Sequence, residues 1–186
     1  ALVYGLCLAI SLVAGIAAAL YLVEGGAATL VLPIGMPLLG AHFRIDAFSA
    51  FFLVVINLGG AATSLYALGY GAHEENPVRV VPFYPGFLAG MNLVLTADDA
   101  FTFLLSWEFM SLASWAIVMA HHRAAANARA GYIYLLMASF GTLCLLLAFG
   151  LLAGPSGGYA FADMRAATTG PVIAGLAMIL VLIGAG

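Results

Sequence analysis

The sequence predicts an all-α fold, a polytopic transmembrane helix bundle of about six spans. Three observations predict it. Hydrophobic residues make up 65% of the 186 residues and charged residues only 7%, with a mean hydropathy of +1.15. A soluble domain of this size needs more charged surface than that. The apolar residues fall in runs near the ~20 residues that cross a ~30 Å hydrocarbon core. The polar residues gather in short stretches between those runs.

The charges exclude one class of partner. All five basic residues are arginines, the net charge is -3, and no basic patch exists for nucleic acid. Cys7 and Cys144 lie far apart inside apolar runs and fit no C-x-x-C or Cys/His spacing, so both read as packing residues. A Gly-rich phosphate loop, an HExxH motif, a haem motif and a cysteine cluster are all missing, so no cofactor is expected in this chain.

The first span is 2–23. It lacks a basic leader segment and is too long for a signal-peptide core. Gly15 and Ala19 at helical spacing offer a neighbouring helix a close approach. Residues 27–45 are broken by Pro33, Gly35, Pro37 and Gly40, which suits a hairpin-like or irregular segment outside the membrane. The second span is 46–71. Asp46 opens it as a cap for the free N–H groups of the first turn. A solvated turn with His73, Glu74, Glu75 and Arg79 follows.

Residues 80–97 and 98–120 read as a hairpin of two spans. Pro82 and Pro85 sit in the first turn, where proline is tolerated, and Gly86-x-x-x-Gly90 forms a close-packing face. The next polar loop holds His121, His122, Arg123, Asn127 and Arg129. A fifth span covers 128–153, Gly154 to Gly158 break it, and a sixth covers 171–186. The chain opens on Ala1 and its last apolar run has no stop signal, so a single transmembrane domain cut at both ends is expected. Arg79, Arg123 and Arg129 fall on one side, Arg44 and Arg165 on the other; three against two places the first group in the cytoplasm.

Glu108 is the leading functional candidate. It lies ten residues from Asp98, roughly 15 Å along a helix and near mid-membrane. A charge at that depth costs a few kcal/mol or more, so it should face protein or water. Ser111 and Trp115 share its helical side, and Ser106 and Ser114 are close in sequence. Burial favours a neutral acid and a nearby cation favours a carboxylate, and a site open to both influences suits a proton relay. The plain alternative is a protonated, hydrogen-bonded structural acid. None of the five arginines falls at the same depth, so a basic partner is expected from outside these residues.

Asp98 and Asp99 read first as helix caps, with a proton-accepting pair at a channel mouth as the alternative. His121 and His122 read first as interface residues at a helix end, with proton uptake as the sharper reading. Adjacent histidines do not share a helical face, so they are not expected to bind metal. Asn57 and Asn92 read as interhelical hydrogen-bonding amides.

Several runs carry a family resemblance. Phe43–Phe52 (FRIDAFSAFF) resembles the opening of a helix in the antiporter-like subunits of complex I-type machines. Phe83–Val94 (FYPGFLAGMNLV), followed by Phe103–Ser114 (FLLSWEFMSLAS), resembles the large membrane subunit, component B, of hydrogenase-4 and formate hydrogenlyase. Ala130–Leu135 (AGYIYL) and Leu147–Leu152 (LAFGLL) continue the likeness, which covers about residues 42–186. The resemblance implies the N-terminal part of an antiporter-like subunit fold, a larger bundle with inverted five-helix repeats. It implies that Glu108 matches the family's membrane glutamate. Its partner would be a lysine in a K-A-G-x-x-P-L-H motif placed after Gly186.

The function expected from that resemblance is proton or cation translocation, in a membrane subunit of a hydrogenase or complex I-type oxidoreductase. The chain itself would hold no catalytic centre. It would be multi-pass in the cell inner membrane, partnered by lipid, by other membrane subunits and, through them, by a peripheral hydrogenase or redox arm. The rivals are a structural anchor without transport and a stand-alone Na⁺/H⁺ antiporter subunit.

Overall fold

The structure, a computed structural model, describes residues 1–35, 40–71, 77–121 and 125–185. Helix α1 (Leu2–Glu24) leads into an antiparallel hairpin, β1 (Ala28–Leu32) and β2 (Ala41–Ile45). Helix α2 (Ala47–Tyr70), short α3 (Pro77–Val80), α4 (Phe83–Thr96), α5 (Ala100–Val118) and α6 (Ala125–Ala153) follow. A brief α7 (Phe161–Ala166) precedes α8 (Pro171–Ala185).

Among the described residues, α1, α2, α5 and most of α6 are long and apolar enough to cross a membrane. The segment expected to span at 80–97 forms an apolar helix of 14 residues instead, and that expected at 171–186 is the 15-residue apolar helix α8, with Gly186 outside the described residues. The first is shortened at both ends. Val81 and Pro82 form a turn ahead of Phe83, and at Ala97 the backbone becomes extended.

The irregular stretch at 27–45 folds as the β1–β2 hairpin, with Ala28 opposite Ile45 and Leu32 opposite Ala41. Glycine makes its ends possible. Gly25 and Gly26 adopt φ of 74° and 119° where α1 stops, a region that side chains disfavour. The inner edge of the hairpin meets the α4–α5 link. Phe43 bridges Ala97, and the Asp98 N–H donates to the His42 carbonyl at 2.9 Å. Asp99 in turn bridges Ala160. Three extended segments, from three connections of the bundle, are thereby stitched together at one end of it.

Asp46 caps α2 as its position predicts. Its Oδ1 accepts from the Phe48 and Ser49 N–H groups at 3.1 and 3.0 Å, and the Ser49 hydroxyl accepts from the Asp46 N–H at 2.9 Å. The Ser49 amide, supported by Arg44 at 3.3 Å and outweighing partial burial, holds the Asp46 carboxyl below the usual carboxylate range.

Small residues let the helices close on one another, as expected where lipid gives no hydrophobic drive between them. A Cβ on Gly60 would lie 3.0 Å from the Ser11 hydroxyl of α1. A Cβ on Gly141 of α6 would lie 2.7 Å from the Gly184 carbonyl of α8. Between α2 and α4 the contact is polar: Asn57 Nδ2 donates to Asn92 Oδ1 at 2.7 Å. The Tyr84 hydroxyl sits 2.9 Å from both Thr63 and Ser64. Replacing Asn92 by Ala should cost about 0.5–1.5 kcal/mol, because the amide bond is interhelical and the Asn57 donor keeps only its own helix. Unfolding midpoints in mixed detergent micelles measure this, and an unshifted midpoint would remove the amide pair as a stabilising contact.

Candidate functional site

Glu108 sits one residue from the middle of α5. It is roughly 12 Å from Ala100 along the helix. Within this chain it is half-buried, and among the described residues its carboxylate has no hydrogen-bond or ion-pair partner. Arg44 engages Asp46, and Arg79 donates to the Ala120 carbonyl at 3.5 Å, both at helix ends.

The helix itself sorts the predicted neighbours. At 3.6 residues per turn, Trp115 lies about 20° from Glu108, Leu104 about 40° and Ser111 about 60°. Ser114 is about 120° away and Ser106 about 160°. The structure agrees with that arithmetic. Ser106, Thr102, Leu105 and Phe109 line a groove of about 580 Å³ against the hairpin and α4, and Glu108 is not among its walls. Ser111 is buried and Ser114 half-buried. Of the three serines placed with Glu108, only Ser111 shares its side. Trp115 Nε1 is buried without a hydrogen-bond partner and lies near Gly131 of α6.

Asp98 and Asp99 cluster at the end of the bundle where the hairpin lies. Asp99 caps α5: its Oδ1 accepts from the Phe101 and Thr102 N–H groups at 2.9 and 2.8 Å. Its Oδ2 accepts from the Thr102 hydroxyl and from the His42 N–H, the latter at 3.3 Å, and lies 3.2 Å from His42 Nδ1. Burial pushes the carboxyl up, but the bonds from Thr102 and His42 outweigh it and hold the group below the usual range. Asp98 and Asp163 line a cavity of about 310 Å³ beside the same pair.

The stability consequence has a definite sign. Folding lowers the hold of Asp99 on its proton relative to an unfolded aspartate, near 3.9. Its contribution is therefore complete above about pH 5 and disappears as acid titrates the folded carboxyl below about pH 4. Asp99→Ala should cost about 1–3 kcal/mol at neutral pH, from the lost cap and the orphaned Thr102 and His42 donors. Its penalty should shrink in acid. Denaturant midpoints of the two proteins at pH 7 and pH 3.5 test this; an unchanged gap would contradict it.

His121 closes a 3₁₀ turn, Met119–His121, after α5. His122 lies outside the described residues. His42 is the polar residue the sequence reading did not single out. The alternation of His42 and Arg44 along β2 was its signal, but its partner is 57 residues away.

Comparison with known proteins gives this geometry its setting. Residues 97–186 match the NADH:quinone oxidoreductase/Mrp antiporter transmembrane family. The chain is 34% identical to hydrogenase-4 component B of Escherichia coli over 77% of its own length and 21% of that protein. It is 32% identical to an uncharacterized protein of Mycobacterium tuberculosis, over 81% of the chain and 23% of the relative. It is 30% identical to NADH-quinone oxidoreductase subunit N 1 of Sorangium cellulosum, over 81% and 31%. The chain thus spans between a fifth and a third of the length of these relatives.

Two solved structures share the fold. One is the membrane-bound sulfane sulfur reductase, an archaeal respiratory membrane complex (TM-score 0.77, 18% identity, 97% of this chain and 38% of that one). The other is an Mrp complex from Dietzia (TM-score 0.77, 22% identity, 98% and 35%). The likeness covers the helices, the hairpin and the Glu108 segment together. The chain belongs to the antiporter-like membrane subunits, the family related to hydrogenase-4 component B, to the L and N subunits of NADH-quinone oxidoreductase and to the Mrp antiporters.

Proposed function

We propose that this chain forms part of a proton- or cation-translocating path in such a complex, with Glu108 as its mid-membrane acid. One observation carries the reading. Glu108 is the one carboxylate in the interior of the four long apolar helices, and among the described residues it has no partner. An acid at that depth is costly to insert, so its retention points to use. It faces the side of α5 that holds Ser111 and Trp115. A basic side chain from a neighbouring span completes the pair. Making and breaking that ion pair changes the hold of each group on its proton, and so hands a proton or exchanges a cation along the membrane plane.

On this reading the chain lies in the inner membrane and works beside other membrane subunits, with a peripheral redox arm reached through them. It carries no redox cofactor of its own. Ion flux into sealed vesicles holding the intact complex, compared between wild type and Glu108→Gln, tests the assignment.

A second reading has its own support. Ser106 and Ser114 turn away from Glu108, so a chain of hydroxyls does not run past it. A structural anchor with a locked, neutral Glu108 would fit that. Such an anchor would assemble normally and lose nothing on Glu108→Gln.

A further inference from the structure

The hairpin hangs on the bundle by few bonds, and one side chain among them is an imidazole. Gly25 and Gly26 hinge one end, and β1 is exposed along its length except at Leu32. Attachment runs through the inner edge of β2. It consists of the Phe43–Ala97 bridge, the bond from Asp98 N–H to the His42 carbonyl, the bond from the Tyr21 hydroxyl of α1 to the Ile45 carbonyl at 3.3 Å, and the contacts of His42 with Asp99 and Thr102.

His42 is the hub of that attachment. Its N–H reaches Asp99 Oδ2 at 3.3 Å and the Thr102 hydroxyl at 3.1 Å, while its ring stands 3.2 Å from the same Oδ2. The ring is 41% exposed and the Asp99 side chain 10% exposed, so solvent reaches the imidazole far more readily than the carboxylate. Asp98 from the α4–α5 link and Asp163 from α7 line the same cavity of about 310 Å³. Arg44 shares the strand, but its guanidinium turns to Asp46 at 3.3 Å. An imidazolium at this place forms an ion pair with Asp99; a neutral imidazole does not.

We propose that His42 is a proton-operated latch between the hairpin and the N-terminus of α5. Protonated, it fastens β2 onto Asp99 and covers the cavity between them. Neutral, it gives up the ion pair and keeps the main-chain bonds and an uncharged ring contact with Asp99, and the hairpin loosens about its glycine hinge. The device is independent of the Glu108 reading. It lies at the end of α5, on the side that Asp99, Thr102 and Ser106 share, away from Glu108. Imidazole is the side chain whose charge changes between pH 5 and 8, so the latch works in the range a proton-handling membrane surface experiences.

Hydrogen exchange of residues 41–45 in the intact, membrane-reconstituted protein tests it, with protection factors corrected for the intrinsic pH dependence of exchange. Wild type should be about two- to fivefold more protected at pH 6 than at pH 8, the span expected of a half-exposed pair. His42→Gln should show the low protection at both pH values. His42→Arg, permanently cationic, should show the high protection at both. Asp98→Asn and Asp163→Asn should retain the wild-type response. Equal protection of wild type at the two pH values would overturn the latch. So would an undiminished pH response in His42→Gln, or a pH response in His42→Arg.

Discussion

Glu108→Gln is expected to lower ion translocation by the assembled complex at least about tenfold, a loss of about 1.4 kcal/mol or more in the path. The amide keeps the volume and most of the hydrogen-bonding capacity of the acid, yet it cannot take or give a proton at any pH the membrane meets. Assembly should be unaffected, since a neutral polar group is no dearer to insert at mid-span than an acid. Glu108→Asp should retain part of the flux, because the charge survives and only the reach shortens. The serines supply an internal control. Ser111 shares the side of Glu108, whereas Ser106 faces the groove beneath the hairpin. Ser111→Ala should therefore lower flux, and Ser106→Ala should leave it unchanged. Unaltered flux in Glu108→Gln, with the complex intact, would remove Glu108 from the path and favour the anchor.

Different parts of the molecule were legible in the sequence to different degrees, and distance along the chain explains most of it. Long apolar runs carry their own message, because crossing a hydrocarbon core is a local requirement on some twenty residues. Asp46 and Asp99 were likewise readable as caps, since a cap acts on amides two and three residues away. The short helix α4 was overextended because apolar composition does not mark a helix end as sharply as a turn does. Val81-Pro82 and the extended Ala97 stop α4 within a stretch that hydropathy leaves uninterrupted.

The stitching at the end of the bundle was not legible at all. Phe43 with Ala97, and Asp99 with Ala160, are single bridges between segments more than fifty residues apart, and a single pair leaves no periodic trace. His42 was missed for the same reason. Its role comes from a carboxylate in another element, not from its own neighbours. Around Glu108 angle decides which neighbours count. Ser106 is two residues away in the chain, which on a helix puts it nearly opposite. The structure and the helical period agree there, and sequence proximity alone misleads.

The contact most sensitive to a single added carbon near the candidate site is at Gly90, and Gly90→Val is expected to unseat α5 from α4. A Cβ on Gly90 would lie 2.7 Å from both the Cα and the Cβ of Met110 and 3.1 Å from its backbone nitrogen. These atoms belong to a helical backbone and cannot swing aside as a side-chain tip could, so the helices must part. Overpacking of this kind typically costs about 1–3 kcal/mol, and valine adds two methyls beyond the Cβ. Gly86, one turn earlier, provides the contrast. A Cβ there would sit 3.6 Å from the tip of Phe109 and 3.7 Å from the Ala113 Cβ, ordinary contact distances. Gly86→Ala should be close to neutral, and Gly90→Ala should already be damaging. The consequence reaches the candidate site, since Met110 is two residues from Glu108 on the same rigid helix. A variant that moves Met110 outward moves Glu108 with it, so Gly90→Ala should lose flux even where enough protein assembles to be assayed. Thermal unfolding of the purified complex and flux per assembled unit would separate the two effects. If Gly90→Ala matched Gly86→Ala in both measurements, the close α4–α5 approach would not be what holds Glu108 in place.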